Sequence, residues 1–234
     1  MRNPIPVLLG LTLAALAVPA AALTIDNFES GNFNITDDST TATPTLGEQS
    51  GLLSTDVVGG VRLVSTLGSA GGIGVATAAA ALATLPVVDD GAALSVVVAP
   101  PGAGTGQFQF IYDGSANSVN NGTGGSLNLN LSGLTSFDIT STLSNVTANA
   151  QVTLYSSTTS RDGNVALVNG TASIPMSTFT LNLADNPAIR VWITGLDVGE
   201  APIITNIAAT PEPTTGLLLA MGLVGLGMRR RRSS

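Results

Sequence analysis

The sequence predicts an all-β fold, an antiparallel β-sandwich, between two end segments of different character. The chain of 234 residues is 44% hydrophobic but only 4% aromatic. Gly, Ser, Thr and Asn fill much of the rest, a composition typical of strands and turns. Short apolar or alternating runs recur between Gly, Asn and Asp residues. The length suits one domain plus processing segments, since single sandwiches reach about 200–250 residues.

The predicted strands follow one another along the body. Several alternate apolar and polar residues strictly, which indicates a sheet with one face in water. One run is almost wholly apolar and suits a central strand. The predicted strands are Leu23–Phe28, Gly60–Thr66, Ala93–Ala99 (the apolar run), Gln107–Tyr112, Ser126–Leu131, Ser136–Thr140, Gln151–Ser156, Asn164–Val168, Phe179–Leu183 and Ala188–Thr194.

Two other segments of the body differ from these strands. Ala76–Leu85 is a helix candidate that Pro86 would end. A buried extended segment is the alternative, because so uniform a run has no periodicity that separates the two. Ser39–Thr45 is predicted to be a polar loop.

The body, residues 23–210, is strongly acidic and lacks several reactive side chains. It holds three Arg, no Lys and fourteen Asp and Glu, a formal charge of −11. Such a surface repels phosphates, so we expect no nucleic-acid partner. The chain also has no His and no Cys, which excludes Ser–His–Asp triads and thiolate or imidazole metal sites. We expect no catalytic residue and no cofactor, although carboxylate chemistry and oxygen-ligated calcium stay open.

The N-terminal segment, residues 1–22, has the parts of a secretory signal peptide. Arg2 precedes an apolar run over residues 4–18, and the small residues Ala20 and Ala22 follow it. We expect a signal helix that is removed by cleavage after Ala22. A retained anchor is the alternative, but the apolar run is short for a bilayer span.

The C-terminal segment, residues 211–234, has three parts in a fixed order. A Pro-Glu-Pro motif is followed by an uncharged, glycine-rich run and then by four consecutive arginines. As a helix the run would be about 20 Å long, shorter than the hydrocarbon core of about 30 Å. The arginines predict a stop-transfer signal that keeps the tail in the cytoplasm. The parts are Pro211, Glu212 and Pro213, then Gly216–Met228, then Arg229, Arg230, Arg231 and Arg232.

This order of parts resembles the PEP-CTERM sorting signal, which joins a Pro-Glu-Pro motif, a short transmembrane helix and an arginine cluster. The resemblance implies a Gram-negative host that makes exopolysaccharide, and an exosortase-type membrane enzyme that cuts near the motif. It also implies that the protein is held in the inner membrane transiently, then released or attached at the cell surface or in the extracellular matrix. An ordinary anchor that is never cut is the alternative.

Two short motifs in the body resemble those of the jelly-roll sandwiches called galactose-binding-like. Ile25–Glu29 is similar to an opening strand with the letters DDFE, with Asn27 in place of the second acid. Gly59–Arg62 is similar to a strand start that can follow it. The resemblance implies a jelly-roll-like sandwich and carries no binding site to this chain.

Arg190, Trp192 and Thr194 form a candidate ligand face. Proteins commonly bind sugars with aromatic side chains flanked by polar groups, because an apolar ring stacks on the C–H face of the sugar. On a strand these three residues share one face, and Val191 and Ile193 share the other. Trp192 points outward if Val191 and Ile193 point into the core. In the reversed register, or if a second layer covers this face, Trp192 belongs to the core.

Acidic residues offer two weaker candidate sites. Asp37–Asp38, Asp89–Asp90 and the loop Asp113–Gly125 hold oxygen ligands for calcium, but none has the spacing of a dedicated calcium loop. Asp26 and Glu29 are an acid pair in sequence, yet on a strand they would face opposite sides. We therefore assign no metal site.

The sequence favours an exported, non-catalytic surface or matrix protein that contacts exopolysaccharide through its sandwich. A carboxylate-dependent polysaccharide hydrolase or lyase is an alternative motivated by the acidic body. A calcium-stabilised adhesin is a second alternative, motivated by the Asp-rich turns.

Overall fold

The computed structural model describes residues 21–29, 33–37, 45–68, 73–79, 93–99, 106–115, 125–143, 148–196 and 202–211. Within these residues the chain forms thirteen strands and two short 3₁₀ turns, Val58–Gly60 and Met176–Thr178. The strands make two antiparallel sheets of seven and six strands. The predicted antiparallel β-sandwich is confirmed.

Sheet A contains the first and last strands of the fold. Its strands are β1 (Leu23–Asp26), β2 (Phe33–Asp37), β5 (Ile73–Ala79), β6 (Ala93–Ala99), β8 (Ser136–Thr142), β11 (Gly170–Pro175) and β13 (Ile203–Thr210). Their order is β11-β8-β13-β6-β5-β2. One edge of β13 pairs with β8, and its other edge is shared by β1 and β6.

Sheet B contains the remaining strands. They are β3 (Thr45–Ser50), β4 (Val61–Gly68), β7 (Gly106–Tyr112), β9 (Asn149–Tyr155), β10 (Ser160–Ala166) and β12 (Ala188–Leu196). Their order is β10-β9-β12-β7-β4-β3. Strand β12 lies between β9 and β7, so both of its edges are hydrogen-bonded.

The hydrophobic core lies between the two sheets. Sheet B contributes alternate residues of its central strands, including Val64, Phe110, Val152 and Val191. Sheet A contributes Phe137, Ile139, Ile204 and Ile207, among others. Most core side chains are aliphatic, as expected from a composition that is poor in aromatic residues.

A buried ion pair links the two sheets. Arg62 Nε lies 2.6 Å from Asp26 Oδ2, and both side chains are fully buried. Arg62 Nη2 also donates to Asp26 Oδ1 over 2.9 Å, and the Tyr112 hydroxyl donates to Oδ2 over 2.9 Å. The backbone N–H of Phe28 donates to Oδ1 over 2.8 Å. Asp26 and Arg62 each come from one of the two motifs that resemble galactose-binding-like domains.

Burial raises the pKa values of Asp26 and Tyr112 in this cluster. It raises the pKa of Asp26 from 3.8 to about 6, although the Arg62 charge and the hydrogen bonds act in the opposite direction. The carboxyl group therefore still ionises below neutral pH. Burial and the neighbouring Asp26 charge raise the pKa of Tyr112 well above its ordinary value of 10.0. Tyr112 thus stays a hydrogen-bond donor to Asp26.

Three predicted elements need correction. The predicted strand Ser126–Leu131 has only an isolated bridge, between Leu129 and Asn186, and Asn128 takes a left-handed backbone with φ 49°. The predicted strand Phe179–Leu183 follows the second 3₁₀ turn and is irregular. The helix candidate Ala76–Leu85 is wrong for its first four residues, which belong to β5, while residues 80–85 lie outside the described residues.

Both predicted end segments lie mostly outside the described residues. This holds for the signal helix, for the short transmembrane helix and for the arginine cluster, and also for residues 39–44 of the predicted loop. In the part of the chain that the structure describes, no helix has the length and apolar character needed to cross a membrane.

Candidate functional site

Strand β12 presents its polar side chains on the outer face of sheet B, the face that points away from sheet A. Val191 and Ile193 are fully buried in the core. Arg190, Trp192 and Thr194 alternate with them and are half-buried. All three candidate residues therefore lie on one side of the sheet, as strand geometry requires once the core side is known.

A row of amide side chains crosses the outer face at Trp192, and we call it the amide row. Trp192 is paired with Gln109 on β7 and with Gln151 on β9. Gln151 is paired in turn with Asn164 on β10. Paired residues of antiparallel strands point to the same side of the sheet. Trp192 is thus flanked by a glutamine on each side.

Arg190 is positioned by its neighbours on the same face. Its Nη2 donates to the Thr153 hydroxyl over 2.9 Å, and its guanidinium carbon lies 5.6 Å from the centre of the Trp192 ring. This is within the distance at which a cation is attracted to an aromatic face. Arg190 Nε is buried and has no hydrogen-bond partner among the described residues. The arrangement restricts the guanidinium and the indole ring together.

An open pocket of about 500 Å³ lies beyond Arg190, at the start of β12. It is lined by Gly125, Asn128, Tyr155, the turn residues 156–160, Asp185 and Pro187. Tyr155 is paired with Ala188 on β12 and with Ser160 on β10. The pocket therefore continues the outer face of sheet B along the direction of β12.

Tyr155 connects the pocket to Arg190 electrostatically. Burial raises the pKa of its hydroxyl, and the Asp162 charge raises it further, while the Arg190 charge lowers it. Both of these charged side chains lie on the outer face, because Asp162 and Arg190 are each paired with Thr153. Tyr155 is therefore a neutral hydroxyl group at neutral pH, next to one cation and one carboxylate.

The walls of the pocket are held by backbone hydrogen bonds. The Leu127 N–H donates to the Pro187 carbonyl over 3.1 Å, and the Ser126 N–H donates to the Asp113 carbonyl over 2.7 Å. Gly125 fits here because a Cβ atom would lie 2.2 Å from the Pro187 carbonyl oxygen. On the opposite wall the Ser156 side chain accepts a hydrogen bond from the Thr159 N–H over 3.0 Å.

The acidic candidates do not form a site among the described residues. These residues contain no group of three or more carboxylates that could hold a metal ion. Asp113 Oδ1 accepts a hydrogen bond from the Ser115 N–H over 3.0 Å, which is ordinary turn chemistry. Asp26 is buried in its ion pair, whereas Glu29 is exposed. Asp38, Asp89–Asp90 and residues 116–124 lie outside the described residues.

Several residues of this face could not be found by reading the sequence. Gln109 and Gln151 lie far from Trp192 in the chain, and only the sheet register brings the three together. The pocket joins residues from three separate segments. Only the alternation along β12 can be recognised in the local sequence. It predicts which residues of β12 share a face, but not which residues of other strands lie next to them.

The C-terminal segment can be identified by comparison with known families. Residues 209–232 match the family model described as the PEP-CTERM protein-sorting motif. The chain carries a PEP-CTERM sorting motif. The resemblance to the PEP-CTERM sorting signal is confirmed, and this motif indicates an exported protein that an exosortase processes at the membrane. No curated protein matches this chain significantly.

The body is similar to solved carbohydrate-binding modules. One is the family 11 module of the cellulosomal cellulase Lic26A-Cel5E of Clostridium thermocellum, with 13% identity, a TM-score of 0.39, and coverage of 82% of this chain and 95% of the module. Another is the Clostridium thermocellum family 11 module in complex with a β-1,3-1,4-mixed-linked tetrasaccharide, with 15% identity, a TM-score of 0.33, and coverage of 78% and 98%. Likeness at this level shows no function of this chain.

Proposed function

We propose that the chain is a non-catalytic surface or matrix protein whose sandwich binds exopolysaccharide on the outer face of sheet B. In this proposal residues 1–22 direct export, residues 23–210 form the binding body, and residues 211–234 direct sorting by an exosortase. The observation that carries the proposal is the half-buried Trp192 between Gln109 and Gln151, with Arg190 against its ring.

The side chains of this face suit the chemistry of a sugar. The indole ring offers an apolar surface for the C–H face of a sugar ring. Each glutamine has an amide group that both donates and accepts hydrogen bonds, as sugar hydroxyls do. The strands hold these groups on a rigid sheet, so little conformational entropy is lost on binding.

The same residues do not favour a hydrolase or a calcium-stabilised adhesin. Hydrolysis of a glycosidic bond requires two carboxyl groups that converge on one bond. Among the described residues of the outer face, Asp162 is paired with Thr153 and not with a second acid. No observation on the described residues favours a calcium site.

The test is binding of the exported protein to the extracellular polysaccharide of the producing cell. We expect Trp192→Ala to weaken binding about tenfold or more, because loss of a central aromatic contact costs about 1.4 kcal/mol or more. Trp192→Phe should keep part of the affinity because it retains an aromatic ring. Ser173→Ala, at an exposed position of β11 on the other sheet, is the matched control and should bind like the parent protein.

The result can overturn the proposal in two ways. If the parent protein binds no envelope polysaccharide, the binding function is wrong and a purely structural role in the matrix remains. If the parent protein binds and Trp192→Ala binds equally well while folded, the ligand occupies another surface.

A further inference from the structure

We infer that the polysaccharide site continues from Trp192 along β12 into the pocket beyond Tyr155, and that it takes an uncharged polysaccharide chain lying parallel to this strand. The inference rests on the proposed function and adds to it a second binding region, a direction and a chemical class of ligand. Three observations lead to it, namely the alignment of the two regions along β12, the polar groups of the pocket, and the charges between Trp192 and the pocket.

The Trp192 region and the pocket lie on the same two strands. Successive pairs on this side of the sheet are Trp192 with Gln151, Arg190 with Thr153, and Ala188 with Tyr155, and Tyr155 lines the pocket. Thr153, Ala188 and Tyr155 are buried, so the accessible part of β12 before the pocket is formed by the half-buried Trp192 and Arg190. From Trp192 to Pro187 the strand rises about 17 Å at about 3.3–3.4 Å per residue. A ligand that contacts both regions must therefore be an extended chain of several sugar units.

The pocket offers groups that match sugar hydroxyls. The turn between β9 and β10 contributes consecutive serine and threonine residues from 156 to 160, and the opposite side contributes Asn128 and Asp185. Hydroxyl and amide groups can donate or accept, and a carboxylate accepts from a hydroxyl donor. Asn128 and Asp185 are both exposed. A hydroxyl-rich ligand can thus exchange water for these partners without leaving buried groups unpaired.

The charges between Trp192 and the pocket favour an uncharged polysaccharide. Arg190 is the one cation of this region among the described residues, and it is already engaged with Thr153 and the Trp192 ring. The negative charge of Asp162 acts on Tyr155, and Asp185 lines the same pocket as Tyr155, on a body with a formal charge of −11. A uronic-acid polymer would bring one negative charge per sugar unit to this surface and would be repelled. A positively charged polymer would be repelled by Arg190, which lies between Trp192 and the pocket.

The experiment separates the extracellular polysaccharide of the producing cell by anion exchange into uncharged and acidic fractions. Binding of each fraction to the exported protein is then measured. We expect the uncharged fraction to bind and the acidic fraction to bind at least about tenfold more weakly. Asp185→Ala should weaken binding of the uncharged fraction at least about threefold, because it removes a charged hydrogen-bond acceptor from the pocket. Glu29→Ala removes the same charge at an exposed position outside the site and should bind like the parent protein.

A length series tests the direction of the chain. Partial hydrolysis of the uncharged fraction gives oligosaccharides of increasing size. We expect Asp185→Ala to weaken binding of long oligosaccharides only, and Trp192→Ala to weaken binding of short and long ones alike. If Asp185→Ala has no effect, or if the acidic fraction binds better, the inference is wrong while binding at Trp192 stands. If neither fraction binds the parent protein, the proposed function itself is wrong.

Discussion

The Asp26 carboxyl group, on the first strand of sheet A, receives four polar contacts. Two come from Arg62 and one from Tyr112, both on strands of sheet B, and the fourth comes from the nearby Phe28 N–H. The guanidinium also lies 5.0 Å from the centre of the Phe28 ring. A fully buried ion pair is costly to desolvate, so its net contribution to stability is small. Removing only one partner is different, because the remaining charge stays buried without compensation.

We expect Arg62→Met to lower the free energy of unfolding by about 3–5 kcal/mol, the usual cost of an unpaired buried charge. The loss should depend on pH. Arg62 is the strongest influence that lowers the pKa of Asp26, so the variant's folded-state pKa should lie above about 6. A carboxyl group whose folded-state pKa is raised contributes stability at low pH and loses it as the pH rises through that pKa. Denaturant unfolding at several pH values measures the effect.

The control for this prediction is Arg161→Met. Arg161 is exposed and its Nε donates to the Thr180 hydroxyl, so its removal should change stability by at most about 0.5 kcal/mol. An Arg62→Met variant as stable as the parent protein above pH 6 would contradict the assigned role of the ion pair. A loss that grows as the pH falls would contradict the sign of the Asp26 shift.

Single residues of the candidate face were only partly predictable. The alternation of Arg190, Trp192 and Thr194 with Val191 and Ile193 gives two faces from the sequence alone. Which face is buried depends on sheet A, which covers one side of sheet B. The pairing of Asp26 with Arg62 was equally out of reach, because the two residues belong to different sheets.

Among the strands, β10 shows how one glycine permits close packing between the sheets. Gly163 is buried although both of its neighbours on the strand are exposed. A Cβ atom at this position would lie 2.6 Å from Ile174 Cγ2 and 2.8 Å from Phe179 Cζ. The side chains of Ile174, on β11, and of Phe179, after it, therefore occupy the space that a larger residue at position 163 would need.

We expect Gly163→Ala to lower the free energy of unfolding by about 1–3 kcal/mol, as overpacking of a core does. Asn164→Ala on the exposed face of the same strand should stay within about 0.5 kcal/mol of the parent protein. Denaturant midpoints of the two variants provide the comparison. A midpoint for Gly163→Ala equal to that of Asn164→Ala would show that Ile174 and Phe179 move aside without cost.

The sequence predicts strands incorrectly in two situations. In one, apolar residues alternate with polar ones although no strand forms, and in the other a strand forms although the alternation is interrupted. Leu127, Leu129 and Leu131 pack toward the core from a segment with one isolated bridge. Alternation indicates only which side chains are buried. The backbone N–H groups of this segment donate to carbonyl groups of the irregular residues 183–187, and the segment does not join a β-sheet ladder. The sequence does not predict strand β13, for the opposite reason. A register shift between Ile204 and Asn206 puts Ile204 and Ile207 on the same face, three residues apart.

In the whole molecule, the first and last strands of the described body, β1 and β13, lie side by side within sheet A. Leu23, the first residue of β1, is paired with Ala209 near the end of β13. Thr210 is still part of the sheet, since its carbonyl accepts from the Thr135 N–H over 2.8 Å and its hydroxyl donates to Asp138 over 2.6 Å. The Pro-Glu-Pro part of the sorting motif therefore starts directly after Thr210, the last residue of β13.

This arrangement limits where both cuts can fall. A signal cut C-terminal to Asp26 would remove β1 and the carboxylate that pairs with Arg62, and an exosortase cut before Thr210 would shorten β13. We therefore expect the exported protein to begin at Leu23 and to end at or after Pro211. The intact masses of the protein from culture medium and from membranes, with sequencing of both terminal peptides, would measure the two ends. Replacing Pro211, Glu212 and Pro213 by Ala is the control and should leave the C-terminal segment uncut. A released protein that lacks part of β1 or β13 and melts at an unchanged temperature would show that these strands do not hold the sandwich together.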